Sequence, residues 1–211
     1  MTNVFNYAPL FNHDDVEILD RSWIYSGFVK LETVTLRHRL FKDQSFSREL
    51  QREMTHRREA AGVFVYDPTL QKFLLIEQFR LGAFNSEHTP WQLEIIAGLI
   101  DEGEDAITCL KREALEEAGC ELQEVKFLHR YYPSTGACDE IFSMYVATAD
   151  LSQAGGVFGE VTEGEDIKVH LFDYQDLVPL LQSGYVSNAA LLIALQWFQF
   201  HLLTECSETS K

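Results

Sequence analysis

GLIDEGEDAITCLKREALEEAGC, residues 98–120, decides how the rest of the chain is read. Gly98 is followed after five residues by Glu104 and after seven more by Arg112 and Glu113, and Glu116, Glu117 and Gly119 close the segment. Its second half is expected to be a helix, because Ile107, Leu110, Ala114, Leu115 and Ala118 recur at a spacing near 3.6. Gly119 sits where a left-handed C-terminal cap belongs. On such a helix Glu113 and Glu117 are one turn apart on one face, with Glu116 beside them. Glu104 enters from the loop that precedes the helix.

That arrangement is unfavourable by itself. Like charges at i,i+4 each cost roughly 0.2–0.5 kcal/mol, and carboxylates in a last turn face the negative end of the helix dipole. A hard divalent cation reverses both penalties, and carboxylates that leave room for water and a phosphate are the usual Mg²⁺ environment. A solvated acidic face is the plain alternative, and spacing decides between them.

Gly-x5-Glu-x7-Arg-Glu-aliphatic-x-Glu-Glu-x-Gly-aliphatic is the Nudix box, and residues 98–120 resemble it at all seven fixed positions, with Ala114 and Cys120 smaller than the usual aliphatics. The resemblance implies Mg²⁺-assisted hydrolysis of a nucleoside diphosphate joined to another group. It also implies an α+β fold of the Nudix α/β/α sandwich type, here with a small N-terminal antiparallel β-sheet domain.

Working outward, the 211 residues suffice for one substantial domain with a small appendage, and 46% hydrophobic content with 15 Phe and 8 Tyr supplies a core. A formal charge of −16 argues against nucleic acid and anionic membranes as partners. It also repels an anionic diphosphate at long range, so bound cations and local arginines must supply the attraction. Cys109, Cys120, Cys138 and Cys206 show no CxxC spacing and are expected to be free thiols, buried where they flank the helix. With no N-terminal apolar h-region and no 18-residue apolar run, the chain is expected to be cytoplasmic.

Residues 16–41 are rich in β-branched and aromatic side chains and predict a small antiparallel sheet with a turn near Ser26 and Gly27. The stretch REMTHRRE leads into a strand over 60–66, which Asp67 and Pro68 break. A strand follows in KFLLIEQFRLGAF (72–84), with a continuous apolar run suited to a central position. WQLEIIAGLI then feeds the box. VKFLHRYYP and EIFSMYVATA are two further strands joined by the loop PSTGACDE, AGGVFGEVTEGED is a long acidic loop, and IKVHLF is a strand. Two helices close the domain, the first with Pro179 in its opening turn. The second is capped by Asn188 and apolar almost all round, so it is destined for the core or a subunit contact. The expected organisation is a β-rich dimerisation and substrate-contributing region over 1–55, a hydrolase domain over 56–205 and a polar tail over 206–211.

Over nearly its whole length the chain is similar to the bacterial ADP-ribose pyrophosphatases within the Nudix family. RHRLF, LLIEQFR, TPWQLEIIAGLIDEGE, EDIKVHLF and SNAALLIALQWFQFH carry the likeness. Pro133, thirteen residues past Cys120, stands for the proline typical downstream of the box, and the motif of NADH-preferring members is not apparent. The resemblance implies hydrolysis of ADP-ribose to AMP and ribose 5-phosphate with two or three Mg²⁺ per site, Mn²⁺ being an acceptable substitute. By the same likeness, Glu113, Glu117, Glu165 and the Ala97 carbonyl hold metal. Glu163 positions or deprotonates the attacking water, Glu116 belongs to the catalytic set, and Arg112 holds the box carboxylates. Arg52, Glu53, Arg57, Arg80, Leu99, Pro133 and Glu140 would line the substrate, and Phe28 would stack on adenine from the partner subunit of a homodimer with exchanged N-terminal domains. His38 and His56 have no partner pattern and are read as structural.

Two alternatives stay open on sequence. The substrate could be another nucleoside diphosphate sugar, or the chain could be a non-catalytic Nudix-fold ligand sensor. Sensors usually lose box glutamates, and this chain keeps Glu104, Glu113, Glu116 and Glu117.

Overall fold

A computed structural model describes residues 6–160, 162 and 164–208, without the side chains of 205–208. The chain divides into two compact units, Met1–Arg57 with Ser134–Glu140, and Arg58–Pro133 with Ile141–Lys211.

The first unit is a three-stranded antiparallel sheet in the order β1 (Val16–Ser26), β2 (Lys30–His38), β3 (Leu50–His56). The β1–β2 hairpin turns at residues 27–29, next to the expected Ser26 and Gly27. β3 is a separate strand that sequence reading had merged into the approach to the next one. Its residues LQREMTH lack the apolar alternation that marks a half-buried strand, and Gln51, Arg52 and Glu53 are all exposed. Every residue of β1 is exposed, including Ile18, Trp23, Ile24 and Tyr25. Ser134–Glu140 docks on β3, where the Thr55 N–H donates to the Ala137 carbonyl at 2.8 Å and the Asp139 N–H to the Thr55 carbonyl at 3.2 Å.

The second unit is built on a sheet whose spine runs β10 (Gly156–Phe158), β11 (Ile167–Asp173), β5 (Lys72–Phe79), β4 (Ala60–Asp67), β9 (Phe142–Thr148), β8 (Gln123–Tyr131). Among these described strands β4 and β9 pair in parallel and the other pairs are antiparallel. Asp67 ends β4 as expected, because its carboxylate, 5% exposed, accepts the N–H groups of Thr69, Leu70 and Leu151 and turns the chain. β5 stops at Phe79, and a 3₁₀ turn takes residues 81–83. β10 lies inside the stretch read as an acidic loop. It is three residues long and begins with a glycine at φ +111°, so neither length nor propensity announces it.

The sheet forks at its centre. The Val65–Asp67 end of β4 pairs with β5, while Ala60–Val63 turns to β7 (Ile96–Leu99) and Ile76–Phe79 of β5 turns to β6 (Trp91–Glu94). The stretch WQLEIIAGL fills that fork and carries Glu94 and Ala97 into it. α1 (Ala106–Ala118) follows, N-capped by Asp105, whose carboxylate accepts the Ile107 and Thr108 N–H groups, and ended by Gly119 at φ +60°. A side chain at Gly119 would also meet the Phe158 ring at 2.6 Å, so the box glycine is required twice over.

Both faces of β4 are buried because the two faces have separate cores. Ala61, Val63 and Val65 join Leu74, Ile76 and, from α1, Leu110, Ala114 and Ala118. Ala60 and Phe64 face the other way, toward Phe73, Leu75 and residues of α2 (Leu177–Gln182) and α3 (Ala189–Glu208). Helices on both sides of a sheet make the α/β/α sandwich. Pro179 is the third residue of α2, and the Asn188 side chain caps α3 by accepting the Leu191 N–H at 2.9 Å. Phe198, fully buried against Phe64, Tyr66 and Tyr174, anchors α3, and its truncation to Ala would cost about 3–5 kcal/mol. No helix among the described residues is long and apolar enough to cross a membrane.

Candidate active site

α1 presents its carboxylates beside β7, whose own residues, Ile96 to Leu99, carry no charge. Glu117 is 3% exposed, and one of its oxygens accepts the Ala97 N–H at 3.2 Å. Burial, reinforced by the charge of Glu113, pushes its pKa up to about 8. Burial also raises Glu113, although the Arg112 guanidinium opposes the shift. Gly98 is what lets Glu113 lie there, because a Cβ on residue 98 would overlap the Glu113 carboxylate. The first box glycine is therefore a space requirement.

Arg112 ties the acidic group together from one side. Its Nε donates to Glu104 at 3.2 Å, and its Nη1 donates to Glu113 at 2.8 Å and to Glu116 at 3.0 Å. The hydrogen bond to Glu104 is the chief reason its proton is held more tightly than in a free arginine. The same bond lowers Glu104, which also accepts the Asp101 N–H and so shapes the loop ahead of α1. Glu116 is more exposed than Glu113, shares Arg112 with it, and its charge adds to the rise at Glu113. Glu117 has no such cation against it: Arg80 lowers it only as a lesser influence at a distance.

Arg80 itself is held by Glu94. Its Nε and Nη2 donate to the two Glu94 oxygens over 2.8–3.2 Å, a forked contact. Desolvation works against the Arg80 charge, but Glu94, Glu117 and Glu165 outweigh it and the pKa rises. Sequence reading missed Glu94. The signal available was a single acid inside the apolar run QLEIIAGLI. Glu165 contributes to the negative field at Glu113 and Glu117, while one of its oxygens accepts the Glu160 N–H at 3.1 Å. Gly159, at φ +110°, leaves room for the Glu165 side chain.

The second unit thus gathers Arg80, Ala97, Arg112, Glu113, Glu116, Glu117 and the field of Glu165, with Leu99 in β7 beside them in sequence. Glu163, the expected base, lies outside the described residues. Pro133 is exposed at the end of this unit's first segment. The remaining candidates belong to the first unit. Phe28, at the β1–β2 turn, is 90% exposed. Arg52 and Glu53 are exposed on β3. Arg57 and Glu140 form an ion pair at 2.8 Å.

The donor set fits a hard cation. Among the described residues no three His, Cys, Asp or Glu side chains already converge as ligands. Glu113 and Glu117 are nevertheless oxygen donors, kept short of protein cations on the Glu117 side and raised toward neutrality by burial. A divalent ion removes that cost, and magnesium in particular takes one or two carboxylates and leaves its other positions to water and phosphate oxygens. Cys109 and Cys120 are free and buried, their thiols pushed up to about 12 and about 11 chiefly by desolvation, which makes them inert. A separate cavity of about 190 Å³, lined among others by Glu77, His88, Trp91, His170 and Tyr185, collects none of these residues.

A NUDIX domain profile matches residues 56–195, and the chain belongs to the Nudix family. Among its curated relatives, the ADP-ribose pyrophosphatase of Escherichia coli (strain K12) is 39% identical over 196 residues, 93% of either chain. That of Haemophilus influenzae is 33% identical over 90% of this chain and 89% of its own length. A GDP-mannose pyrophosphatase of Escherichia coli is 30% identical over 72% of this chain and 80% of its own length. A crystal structure described as an ADP compounds hydrolase superposes with a TM-score of 0.64, covering 89% of this chain and 96% of that one at 20% identity, and shares the fold.

Proposed function

We propose that this chain is an ADP-ribose diphosphatase that cleaves ADP-ribose to AMP and ribose 5-phosphate with Mg²⁺, two or three ions per site. The observation that carries the reading is the Glu113–Glu117 pair, buried and short of cations beside Ala97, in a chain 39% identical to ADP-ribose pyrophosphatases over 93% of its length. Glu113, Glu117 and Glu165 with the Ala97 carbonyl would hold the metal. Bound divalent ions neutralise non-bridging diphosphate oxygens and make water a better nucleophile at neutral pH.

The chain's own residues do the rest. Arg112 keeps Glu113 and Glu116 from splaying apart. Arg80, steadied by Glu94, offers a fixed positive charge to the diphosphate. Glu163 accepts the water proton. Phe28, Arg52, Glu53, Arg57 and Glu140 serve the substrate from the N-terminal region, with Leu99 and Pro133, in a homodimer with exchanged N-terminal domains. The apolar side chains exposed along β1 support that assembly. The absence of a disulfide partner for Cys109, Cys120 and Cys138 among the described residues supports a cytoplasmic setting.

Hydrolysis of a panel containing ADP-ribose, ADP-glucose, GDP-mannose and NADH, with Mg²⁺ and with EDTA, tests the reading. We expect ADP-ribose to lead in kcat/KM and EDTA to abolish turnover. A preference for GDP-mannose would favour the second reading, a hydrolase of another nucleoside diphosphate sugar, to which the 30% identical GDP-mannose pyrophosphatase gives weight. No metal-dependent turnover of any member would overturn both.

A further inference from the structure

His56, read from sequence as a structural residue, stands between two carboxylates of the first unit. On β2 and β3, Lys30 faces His56 and Glu32 faces Met54, so Glu32 and His56 are diagonal neighbours on one face of the sheet. Glu32 is 3% exposed, and its Oε1 lies 2.9 Å from His56 Nε2; neither buried atom makes a hydrogen bond elsewhere. The other ring nitrogen, Nδ1, is 2.5 Å from Asp139 Oδ2. Asp139 Oδ1 accepts the Arg57 N–H at 3.0 Å, and the Arg57 guanidinium pairs with Glu140 at 2.8 Å.

An ionised carboxylate only accepts hydrogen bonds, and a neutral imidazole has a single N–H. A neutral ring would therefore turn a lone pair toward one of the two carboxylates. The other groups around the ring are Lys30 on β2, the edge-on Trp23 ring, and Arg21, which reaches Glu32 at 3.6 Å. Among the described residues Glu32 and Asp139 form ion pairs with Arg21 and His56 and none with Lys30, so the ring is placed to carry the second positive charge.

We propose that His56, as an imidazolium joining Glu32 to Asp139, is a positioning residue that fixes the Arg57–Glu140 pair for the nucleotide substrate. The sheet side of the joint is rigid, since Glu32 is buried between two strands. The other side is a connecting segment held to β3 through residues 137–139. Asp139 bonds the ring with one oxygen and the Arg57 backbone with the other, so the imidazolium sets where the Arg57 side chain begins. The substrate role of Arg57 and Glu140 rests on the proposed function; the charge bridge does not.

Calorimetric binding of ADP-ribose in EDTA, steady-state hydrolysis with Mg²⁺, and ¹⁵N spectra of the ring in the full chain separate the two. Both His56 nitrogens are expected to be protonated. For His56→Gln we expect ADP-ribose to bind about tenfold more weakly, the scale of one charge-assisted hydrogen bond, with the loss in KM more than in kcat. Asp139→Asn, which keeps an acceptor for the Arg57 N–H but removes the charge, should move the same way and serves if His56→Gln does not fold. An unprotonated ring nitrogen, or unchanged affinity in both variants, overturns the proposal. Wild-type protein that binds ADP-ribose without cleaving it would remove the hydrolase reading and leave the positioning role standing.

Discussion

Glu32 and Glu117 are buried to the same extent, 3% exposed each, and the chain treats them in opposite ways. Glu32 has a guanidinium at 3.6 Å and an imidazole at 2.9 Å, so its charge is answered from within the fold. Glu117 has one backbone N–H, the repelling charges of Glu113 and Glu165, and Arg80 only at a distance. Removing one partner of a satisfied buried pair leaves an uncompensated charge, whereas neutralising an unsatisfied carboxylate relieves strain. On the proposed function, the difference separates a site the fold completes from a site completed by a bound cation. Stability and activity should therefore respond in opposite senses at Glu117.

Glu117→Gln is the sharpest way to break that contrast. If Glu117 holds metal, its loss removes several kcal/mol of transition-state stabilisation, so we expect kcat for ADP-ribose to fall by on the order of 10³-fold. The same variant should melt at or above the wild-type temperature in EDTA. A lower melting temperature in EDTA would mean that Glu117 is satisfied without metal, and the contrast with Glu32 would collapse.

The pH dependence of wild-type stability in EDTA follows from the same group. Unfolded, Glu117 loses its proton in the ordinary carboxylate range; folded, it keeps it until about pH 8. Between those limits the unfolded chain binds fewer protons, so the contribution of Glu117 makes stability fall as pH rises. Urea midpoints in EDTA at pH 6 and pH 8 should show that fall in the wild type and a smaller one in Glu117→Gln. Millimolar Mg²⁺ should flatten the wild-type slope. Equal slopes in the two proteins would assign the titration to other groups.

Gly98→Ala comes next in size. The added methyl collides with the flexible end of Glu113, so the carboxylate moves and the backbone stays. If Glu113 holds metal, displacing it and its Arg112 partner should cost about 10- to 100-fold in activity, with a melting temperature in EDTA close to wild type. Restored activity at raised Mg²⁺ would confirm weakened metal binding. Full activity at low Mg²⁺ would show that the position of Glu113 is not critical.

These residues were legible in sequence because helix geometry converts spacing into position: once 106–118 is a helix, Glu113 and Glu117 must share a face. The central strands were legible for a related reason, since two buried faces demand the unbroken apolar runs of 60–66 and 73–76. What escaped reading lacks a local period. β3 alternates nothing, and β10 is too short to have a pattern. Glu94 sits alone among aliphatics, and its meaning depends on Arg80, brought to it by the pairing of β5 with β6. His56 and Asp139 are 83 residues apart, and only the docking of Ser134–Glu140 on β3 makes them neighbours. Long-range charge pairing is a property of the fold, and no residue type in either segment announces it.

Glu94 also supplies the mildest test of the contrast, because Glu94 and Arg80 form a satisfied pair on the edge of the unsatisfied site. Glu94→Gln keeps the size of the side chain and one acceptor oxygen but removes the charge that opposes desolvation of Arg80. The guanidinium would then be held by a neutral acceptor and drawn more strongly toward Glu117 and Glu165. If Arg80 steadies the diphosphate without taking part in bond cleavage, the loss should fall on substrate binding: KM for ADP-ribose up about fivefold, about one kcal/mol, with kcat changed far less. Arg80→Lys should resemble it, since an ammonium cannot reproduce the forked contact. Should Glu94→Gln instead lower kcat as far as Glu117→Gln does, Glu94 would belong with the metal-holding carboxylates, and the line drawn between charges answered by the fold and charges awaiting a cation would have to move to include β6.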